Sequence, residues 1–135
     1  MARVRDGSAT PEELFEMGCV MLRKKVYTQA VRHLESALAA WDGEAEERAQ
    51  VHNALGFALC AQDKAPAALE QYRAAVALQP GYVTAWNNMG DALEKTKAYK
   101  DALDAYTEAL SYAPDNAVAR DRASFLRTRL ARIGA

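Results

Sequence analysis

The chain has 135 residues, half of them apolar, and a formal net charge of −1 at neutral pH. This length fits one domain with a substantial core, and the near-neutral charge excludes a general electrostatic attraction to nucleic acid or to a membrane surface. Two cysteines are too few for a disulfide framework, and abundant alanine with only 7 glycines and 4 prolines favours closely packed helices over sheet.

The N-terminal segment 1–10, MARVRDGSAT, is predicted to be flexible, and it lacks the apolar stretch of a secretory signal. A first helix is predicted to follow it, because TPEE places Thr10 as N-cap, Pro11 at the first helical position and Glu13 at the third. This arrangement is a capping box. Further along, the chain contains no apolar run of the roughly eighteen residues that a membrane span needs.

Two later segments repeat each other: HNALGFAL (52–59) aligns with WNNMGDAL (86–93), which places Gly56 and Gly90 at equivalent positions. The same offset relates four further pairs, Ala68 with Ala102, Tyr72 with Tyr106, Ala75 with Ala109, and Pro80 with Pro114. A period of about 34 residues predicts stacked pairs of antiparallel helices. The six helices are predicted near residues 11–24, 27–40, 46–61, 65–79, 83–96 and 99–112.

The repeated residues resemble the tetratricopeptide repeat (TPR) pattern W-x2-L-G-x2-Y, then A-x3-F, then P. One repeat matches it with Trp86, Met89, Gly90, Leu93, Ala102, Tyr106 and Pro114, and the preceding one with His52, Leu55, Gly56, Leu59, Ala68, Tyr72 and Pro80. A less regular first repeat carries Leu14, Met17, Gly18, Met21, Ala30, Leu34 and Ala37. The resemblance implies an all-α TPR solenoid of three helix-turn-helix repeats, at about 11–48, 49–82 and 83–114, plus a C-terminal capping helix.

The repeated glycines are interpreted as packing residues. A glycine inside a helix costs about 1 kcal/mol relative to alanine. Small residues on facing helices, such as Gly56 and Ala68, allow a close approach of the two backbones that offsets this cost. The sequence contains no glycine-rich loop that would bind a phosphate.

The first repeat is longer than the others, since Gly18 and Gly56 are farther apart along the chain than Gly56 and Gly90. Four extra residues must therefore be placed, and the segment WDGEAEERAQ (41–50) is the predicted site. A longer connection or an extended helix is expected there.

After Pro114, residues 115–135 are predicted to form a helix that covers the last repeat, with Asp115 as its N-cap. Its apolar stripe is predicted to contain Val118, Phe125, Leu126, Leu130 and Ile133. Five arginines and two aspartates give this segment a charge of +3, so residues 1–114 carry −4. The arginines are predicted to form a basic outer face, either simply solvated or a secondary surface for an acidic partner or anionic lipid: Arg120, Arg122, Arg127, Arg129 and Arg132.

Candidate catalytic and metal-binding residues are few. His33 and His52 fall on different helices and lack a set of Cys, Asp or Glu at metal-ligand spacing. Ser, His and Asp are too sparse to suggest a catalytic triad. The chain is therefore predicted to be neither an enzyme nor a metal or cofactor protein, and its acidic repeats argue against nucleic-acid binding.

In the TPR family the first helix of each pair lines a concave groove that binds a protein or peptide. The groove positions that the resemblance implies are Glu12, Phe15, Cys19, Leu22, Gln50, Asn53, Phe57, Cys60, Thr84, Asn87, Asp91 and Glu94. The aromatic, leucine and cysteine side chains predict an apolar floor in the first half of this groove. Asp91 and Glu94 predict an acidic far end, which would suit a partner with an apolar residue followed by a basic one.

Asn53 and Asn87 occupy equivalent positions in neighbouring repeats. Because an asparagine amide both donates and accepts hydrogen bonds, the two are candidates for clamping the backbone of a bound peptide. The alternative is that each asparagine only caps or solvates its own helix.

TPR domains that bind chaperones hold a C-terminal carboxylate with Lys, Arg and Asn side chains. The matching positions here are Phe15, Cys19, Ala54, Thr84 and Asn88. Because this cationic clamp is missing, binding to chaperone C-termini is disfavoured.

Four segments together are similar to the TPR proteins of chloroplasts and cyanobacteria that assist photosystem I assembly: ELFEMGCVMLRKKVY, WDGEAEERAQVHNALG, LQPGYVTAWNNMGDALEK and NAVARDR. This resemblance implies a thylakoid-associated assembly factor without a bound cofactor, attached to the membrane only through a segment outside this chain. Its partners would be photosystem I subunits or other assembly factors. The alternative is a generic TPR cochaperone or regulatory adaptor, cytoplasmic and unrelated to photosynthesis.

Overall fold

The computed structural model describes residues 9–134, which form seven α-helices. They are α1 (Pro11–Arg23), α2 (Tyr27–Ala40), α3 (Ala45–Ala61), α4 (Ala65–Leu78), α5 (Val83–Lys95), α6 (Tyr99–Tyr112) and α7 (Ala117–Arg132). The bounds of α1 to α6 agree with the predicted ranges to within one residue at each end. Residues 1–8 of the segment predicted to be flexible lie outside the described part of the chain.

The helices stack in sequence order. Each of α1, α3 and α5, here called the first helices, packs against the second helix of its own pair, which then packs against the next first helix. In addition α1 contacts α3 and α3 contacts α5, whereas the second helices α2, α4 and α6 contact one another less. The solenoid therefore curves with the first helices on its inner side.

The glycines of the first helices face bulky side chains of the second helices. A Cβ atom added to Gly90 would lie 2.6 Å from the ring of Tyr106, and one added to Gly56 would lie 2.6 Å from the ring of Tyr72. At Gly18 the nearest atoms belong to Leu34, at 2.7 Å. The packing role is confirmed, but the space left by the glycine is filled by a large side chain rather than by a small one.

The four extra residues of the first repeat lengthen a helix. Helix α3 has 17 residues and α5 has 13, and the additional turn lies at the start of α3. Of the two expected outcomes, the extended helix is therefore the one found. As a result the predicted repeat boundary between residues 48 and 49 falls inside α3.

The two predicted N-caps differ in outcome. At α1 the Thr10 hydroxyl accepts from the Glu13 amide at 3.1 Å and the Glu13 carboxylate accepts from the Thr10 amide at 2.9 Å, which confirms the capping box. At α7 the cap is Asn116, whose Oδ1 accepts from the Ala119 amide at 3.0 Å. The prediction of Asp115 is wrong by one residue, because α7 keeps the repeat spacing and begins where α5 would place it.

The turn after α5 offers a test of backbone strain. Lys97 has a φ of 64°, in the left-handed region, and the amide of the next residue donates to the Leu93 carbonyl at 2.9 Å. Glycine is the preferred residue at this position of a helix end. We expect Lys97→Gly to raise the free energy of unfolding by about 1 kcal/mol in urea denaturation. The control Arg73→Gly, at an exposed position in the middle of α4, should lower it by about as much. A loss of stability at Lys97 would contradict the strain argument.

Candidate partner-binding groove

The register of the inner face is set by three buried positions that recur once per repeat. These positions hold Val51, Leu55 and Ala58 on α3, Ala85, Met89 and Ala92 on α5, and Ala119, Ala123 and Leu126 on α7. All of them are at most 6% exposed. Helix α7 therefore packs on the preceding pair as a fourth first helix, and the side chains beside its buried face continue the inner surface.

The predicted groove residues lie on the inner side of α1, α3 and α5, but they differ in exposure. Five are exposed: Glu12, Gln50, Phe57, Thr84 and Asp91. Six are partly buried: Phe15, Cys19, Leu22, Asn53, Asn87 and Glu94. Cys60 is buried and forms part of the core beneath the surface. The predicted apolar floor thus reaches solvent mainly through the Phe57 ring, which is 48% exposed.

Asn53 bonds within the protein through both ends of its amide. Its Nδ2 donates to the Tyr82 hydroxyl at 3.3 Å, and its Oδ1 accepts from the Asn88 side chain at 3.0 Å. Tyr82 is the N-cap residue of α5 and Asn88 lies within that helix, so this amide joins α3 to the start and middle of α5. A peptide backbone could bond only to the second N–H or the second lone pair of this amide, unless it displaced one of these contacts.

Asn87 makes the equivalent connection one repeat later. Its Nδ2 donates at 3.0 Å to Oδ1 of Asn116, the residue that caps α7. Its own Oδ1 is buried and has no partner among the described residues. The alternative prediction, that each asparagine serves only its own helix, is wrong, because both amides bind the neighbouring repeat.

The far end of the groove is less acidic than predicted. The Glu94 carboxylate accepts from Nε of Arg122 at 3.0 Å and also from Nη2 of the same guanidinium. It accepts from the Tyr106 hydroxyl at 2.8 Å as well. Asp91 is paired with Lys95 at 3.5 Å. Arg122 neutralises Glu94, so the expected preference for a basic residue in the partner depends on Asp91 alone, whose pair with Lys95 is solvent-exposed.

The Glu94 cluster makes stability depend on pH. Burial raises the pKa of Glu94, but hydrogen bonds from Arg122 and Tyr106 outweigh it and hold the pKa below its usual value. A carboxyl with a lowered folded-state pKa stabilises the protein above the unfolded-state pKa, and this stability is lost as pH falls through the folded value.

We therefore expect Glu94→Gln to lower the free energy of unfolding by about 1 kcal/mol at pH 7, at the low end for charged hydrogen bonds because Arg122 is partly exposed. The deficit should shrink as the pH is lowered from 5 to 3. Urea denaturation of both proteins across this range measures the difference, and a deficit that is independent of pH would contradict the ionic origin of the effect.

Two predictions for α7 are wrong in part. Leu126 is buried and Leu130 partly buried, but Val118, Phe125 and Ile133 are exposed and lie on a different face. They interleave with Arg122, Arg129 and Arg132, so only part of the arginine set lies on the outer end of the solenoid. That end carries Arg120, Ser124 and Arg127, at the positions where α5 has Trp86, Gly90 and Leu93. No second helix follows α7 in the described residues, and this face is accordingly polar.

The remaining reactive side chains have structural surroundings. Burial raises the pKa of both thiols, Cys19 and Cys60, although Arg23 and Lys95 oppose the shift. Burial lowers the pKa of His52, whose Nδ1 lies 2.8 Å from Gln71 Oε1. Among residues 9–134 no three His, Cys, Asp or Glu side chains come together as a metal site. Within the same range, no helix has the length and apolar character to cross a bilayer.

Comparison with known families identifies the repeats. Residues 83–116 match the family model described as Tetratricopeptide repeat, and residues 56–97 match the one described as TPR repeat. The chain is 49% identical over 128 residues to the chloroplastic TPR domain-containing protein PYG7 of Arabidopsis thaliana, covering 95% of this chain and 42% of PYG7. It is 31% identical over 131 residues to ycf37 of Guillardia theta, covering 96% of this chain and 74% of that protein. The chain thus spans less than half of PYG7 and about three quarters of ycf37.

Solved structures share the fold. The first TPR domain of Spaghetti (RPAP3), bound to the HSP90 peptide SRMEEVD, superposes with a TM-score of 0.83 at 20% identity over 90% of this chain and 94% of that one. The TPR domain of Arabidopsis OM64 superposes with a TM-score of 0.81 at 22% identity over 89% and 96% of the two chains. At these identities the similarity concerns the fold alone.

Proposed function

The chain belongs to the family of tetratricopeptide-repeat proteins that includes ycf37 and PYG7, and from this premise we propose that it is a scaffold for photosystem I assembly. TPR folds are generally non-catalytic modules of protein interaction, and the relatives indicate a chloroplast or cyanobacterial context. The narrower role, at the thylakoid membrane, is supported by the similarity of four sequence segments to photosystem I assembly TPR proteins. Photosystem I subunits or other assembly factors are the proposed partners.

The observation that carries the binding mode is the inner face of the solenoid. The Phe57 ring is 48% exposed on α3, between α1 and α5, although the core positions on either side of it along the helix are closed. An exposed aromatic side chain in a concave surface is the kind of residue that dominates the energy of protein recognition. We propose that it contacts a partner polypeptide, together with the exposed groove residues Gln50, Thr84 and Asp91.

Binding of chaperone C-termini is not proposed. The RPAP3 domain holds an HSP90 peptide, but the fold is all that this similarity supports. The family's carboxylate-binding positions are occupied here by Phe15, Cys19, Ala54, Thr84 and Asn88, and none of these side chains is cationic. A peptide that ends in a free carboxylate would therefore find no charge to bind it at these positions.

The proposal is tested by affinity capture from detergent-solubilised photosynthetic membranes, with the chain immobilised. Asn53 and Asn87 are unsuitable for mutation in this test, because their removal would also break contacts between repeats. Phe57→Glu instead places a charge in the groove at a side chain that the fold does not bury. Ala77→Glu adds the same charge on the exposed face of α4 and is the matched control.

We expect the wild type and Ala77→Glu to retain photosystem I subunits or assembly factors, and Phe57→Glu to lose them. Retention by all three proteins would preserve the assembly role and move the contact away from the groove. Recovery of chaperones alone, or of no photosystem component, would contradict the assembly role and favour a cochaperone or adaptor. Circular dichroism of each variant establishes that the fold is unchanged.

A further inference from the structure

Helix α7 presents an apolar stripe that its packing does not use. Val118 is 55% exposed, Phe125 48% and Ile133 63%, whereas Leu126 on the adjacent face is completely buried. Val118 and Phe125 lie one repeat after Thr84 and Asp91, which are exposed groove positions of α5. Val118 and Phe125 therefore continue the inner surface of the solenoid, whereas Ile133 lies at the C-terminal end of α7 as its C-cap residue.

Side-chain contacts fix α7 beside α5 on this inner side. Arg122 binds Glu94, and Asn116 at the start of α7 accepts from Asn87 at 3.0 Å. The Arg122 guanidinium also lies 4.6 Å from the centre of the Phe125 ring. These contacts orient Phe125 at the edge of the groove, so the surface is continuous from α3 across α5 to α7.

The stripe is basic as well as apolar. Arg129 lies over the Tyr99 ring at 4.4 Å, and neither Arg129 nor Arg132 forms an ion pair within residues 9–134. Arg122, by contrast, is neutralised by Glu94. Arg129 and Arg132 thus lie beside the exposed Phe125 and Ile133 side chains, and with Asp121, one repeat after Asn87, they leave a net positive charge on this side of α7. A complementary ligand has apolar groups together with negative charge.

We propose that α7 forms a fourth wall of the groove, which binds an acidic and apolar polypeptide segment. The inference rests on the proposed function, since it specifies the partner of the same groove. Phe57 and Phe125 are two helix spacings apart, about 20 Å for packed helices. An extended chain covers this distance in about six residues. The bound segment is therefore expected to carry two apolar side chains about six residues apart, with Asp or Glu near the second, opposite Arg129.

The test begins with selection of random peptides, displayed on phage, on the immobilised chain. Enriched peptides are then synthesised and their affinities measured by fluorescence anisotropy for the wild type and four variants. Phe125→Ala and Arg129→Glu alter the α7 stripe, and Phe57→Glu alters the groove on α3. Arg127→Glu makes the same charge change on the outer face of α7 and is the matched control.

We expect the enriched peptides to combine apolar and acidic residues. Their affinity should fall about tenfold or more for Phe125→Ala and Arg129→Glu, as for central contacts of an interface, and less than about twofold for Arg127→Glu. If the affinity of the peptides depends on Phe57 but on neither Phe125 nor Arg129, the role of α7 in the groove is wrong and the proposed function stands. Peptides indifferent to all three residues would contradict both. If basic peptides are enriched, or if no peptide is enriched, the inference is also wrong.

A lipid surface has related chemistry, and a second measurement separates it from a polypeptide. In sedimentation with phosphatidylglycerol vesicles, we expect the wild type and Arg129→Glu to behave alike. Vesicle binding that depends on both Phe125 and Arg129 would overturn the inference in favour of an anionic membrane.

Discussion

Gly90→Ala is expected to lower the free energy of unfolding by about 2 kcal/mol, the typical cost of forcing one methyl group into a closed core. The added Cβ would lie 2.6 to 2.8 Å from three ring carbons of Tyr106. The ring cannot swing aside without cost, because it is only 2% exposed and its hydroxyl donates to Glu94. Urea denaturation followed by circular dichroism measures the change.

The sign of this change separates two explanations of the glycine. Helix propensity alone favours alanine by about 1 kcal/mol, so a stabilised variant would show that Tyr106 yields readily and that the close packing is not required. Gly81→Ala, in the turn before α5, is the control for a glycine without a close neighbour. A Cβ added at Gly81 would make only ordinary contact, 3.5 Å from the Tyr112 ring, and its effect should stay within about 0.5 kcal/mol.

The fold could be predicted from the sequence because the repeat period fixes which residues pack. Gly56 and Gly90 recur with Tyr72 and Tyr106 at one spacing, and each ring fills the space beside its glycine. A regular repeat turns one local pattern into the whole architecture, since every pair contacts only its neighbours. The boundaries of the six paired helices follow from that pattern.

The sequence predicts which residues lie on the inner face but not the hydrogen bonds that these residues form. The period identifies Asn53 and Glu94 as inner-face positions, yet their hydrogen bonds depend on residues of the next repeat, Asn88 and Arg122. The residues at these positions differ from one repeat to the next. Arg122 stands one repeat after Asn88, and Glu94 stands one repeat after Cys60. A periodic pattern gives the face on which a side chain lies, but the charge that remains after pairing depends on the neighbours actually present.

The register of α7 could have been found from the sequence. Ala117 lies one full repeat after Val83, the first residue of α5, so the repeat continues through α7. The apolar residues alone are misleading, because Phe125 and Leu126 are adjacent and cannot both face the preceding pair. The spacing assigns Leu126 to the buried position of Ala92 and Phe125 to the exposed position of Asp91.

This assignment predicts a large loss of stability at one residue and a small loss at its neighbour. Leu126→Ala is expected to lower the free energy of unfolding by about 3 kcal/mol, since it opens a cavity at a side chain with no exposed surface. Phe125→Ala removes a larger side chain, yet its ring is 48% exposed and its main contact is the Arg122 guanidinium, so the loss should be about 1 kcal/mol or less. Both changes are measured in the same urea titration.

The pair also tests how α7 works. If the helix covers the last pair through its buried face, Leu126→Ala should weaken the whole solenoid. Helix α7 packs on α6, α6 packs on α5, and α5 packs on α4 of the preceding pair. Equal losses at Phe125 and Leu126 would mean that the apolar stripe packs as one unit and that the register is wrong. A large loss at Phe125 alone would reverse the two faces, and the exposed stripe beside the groove would then not exist.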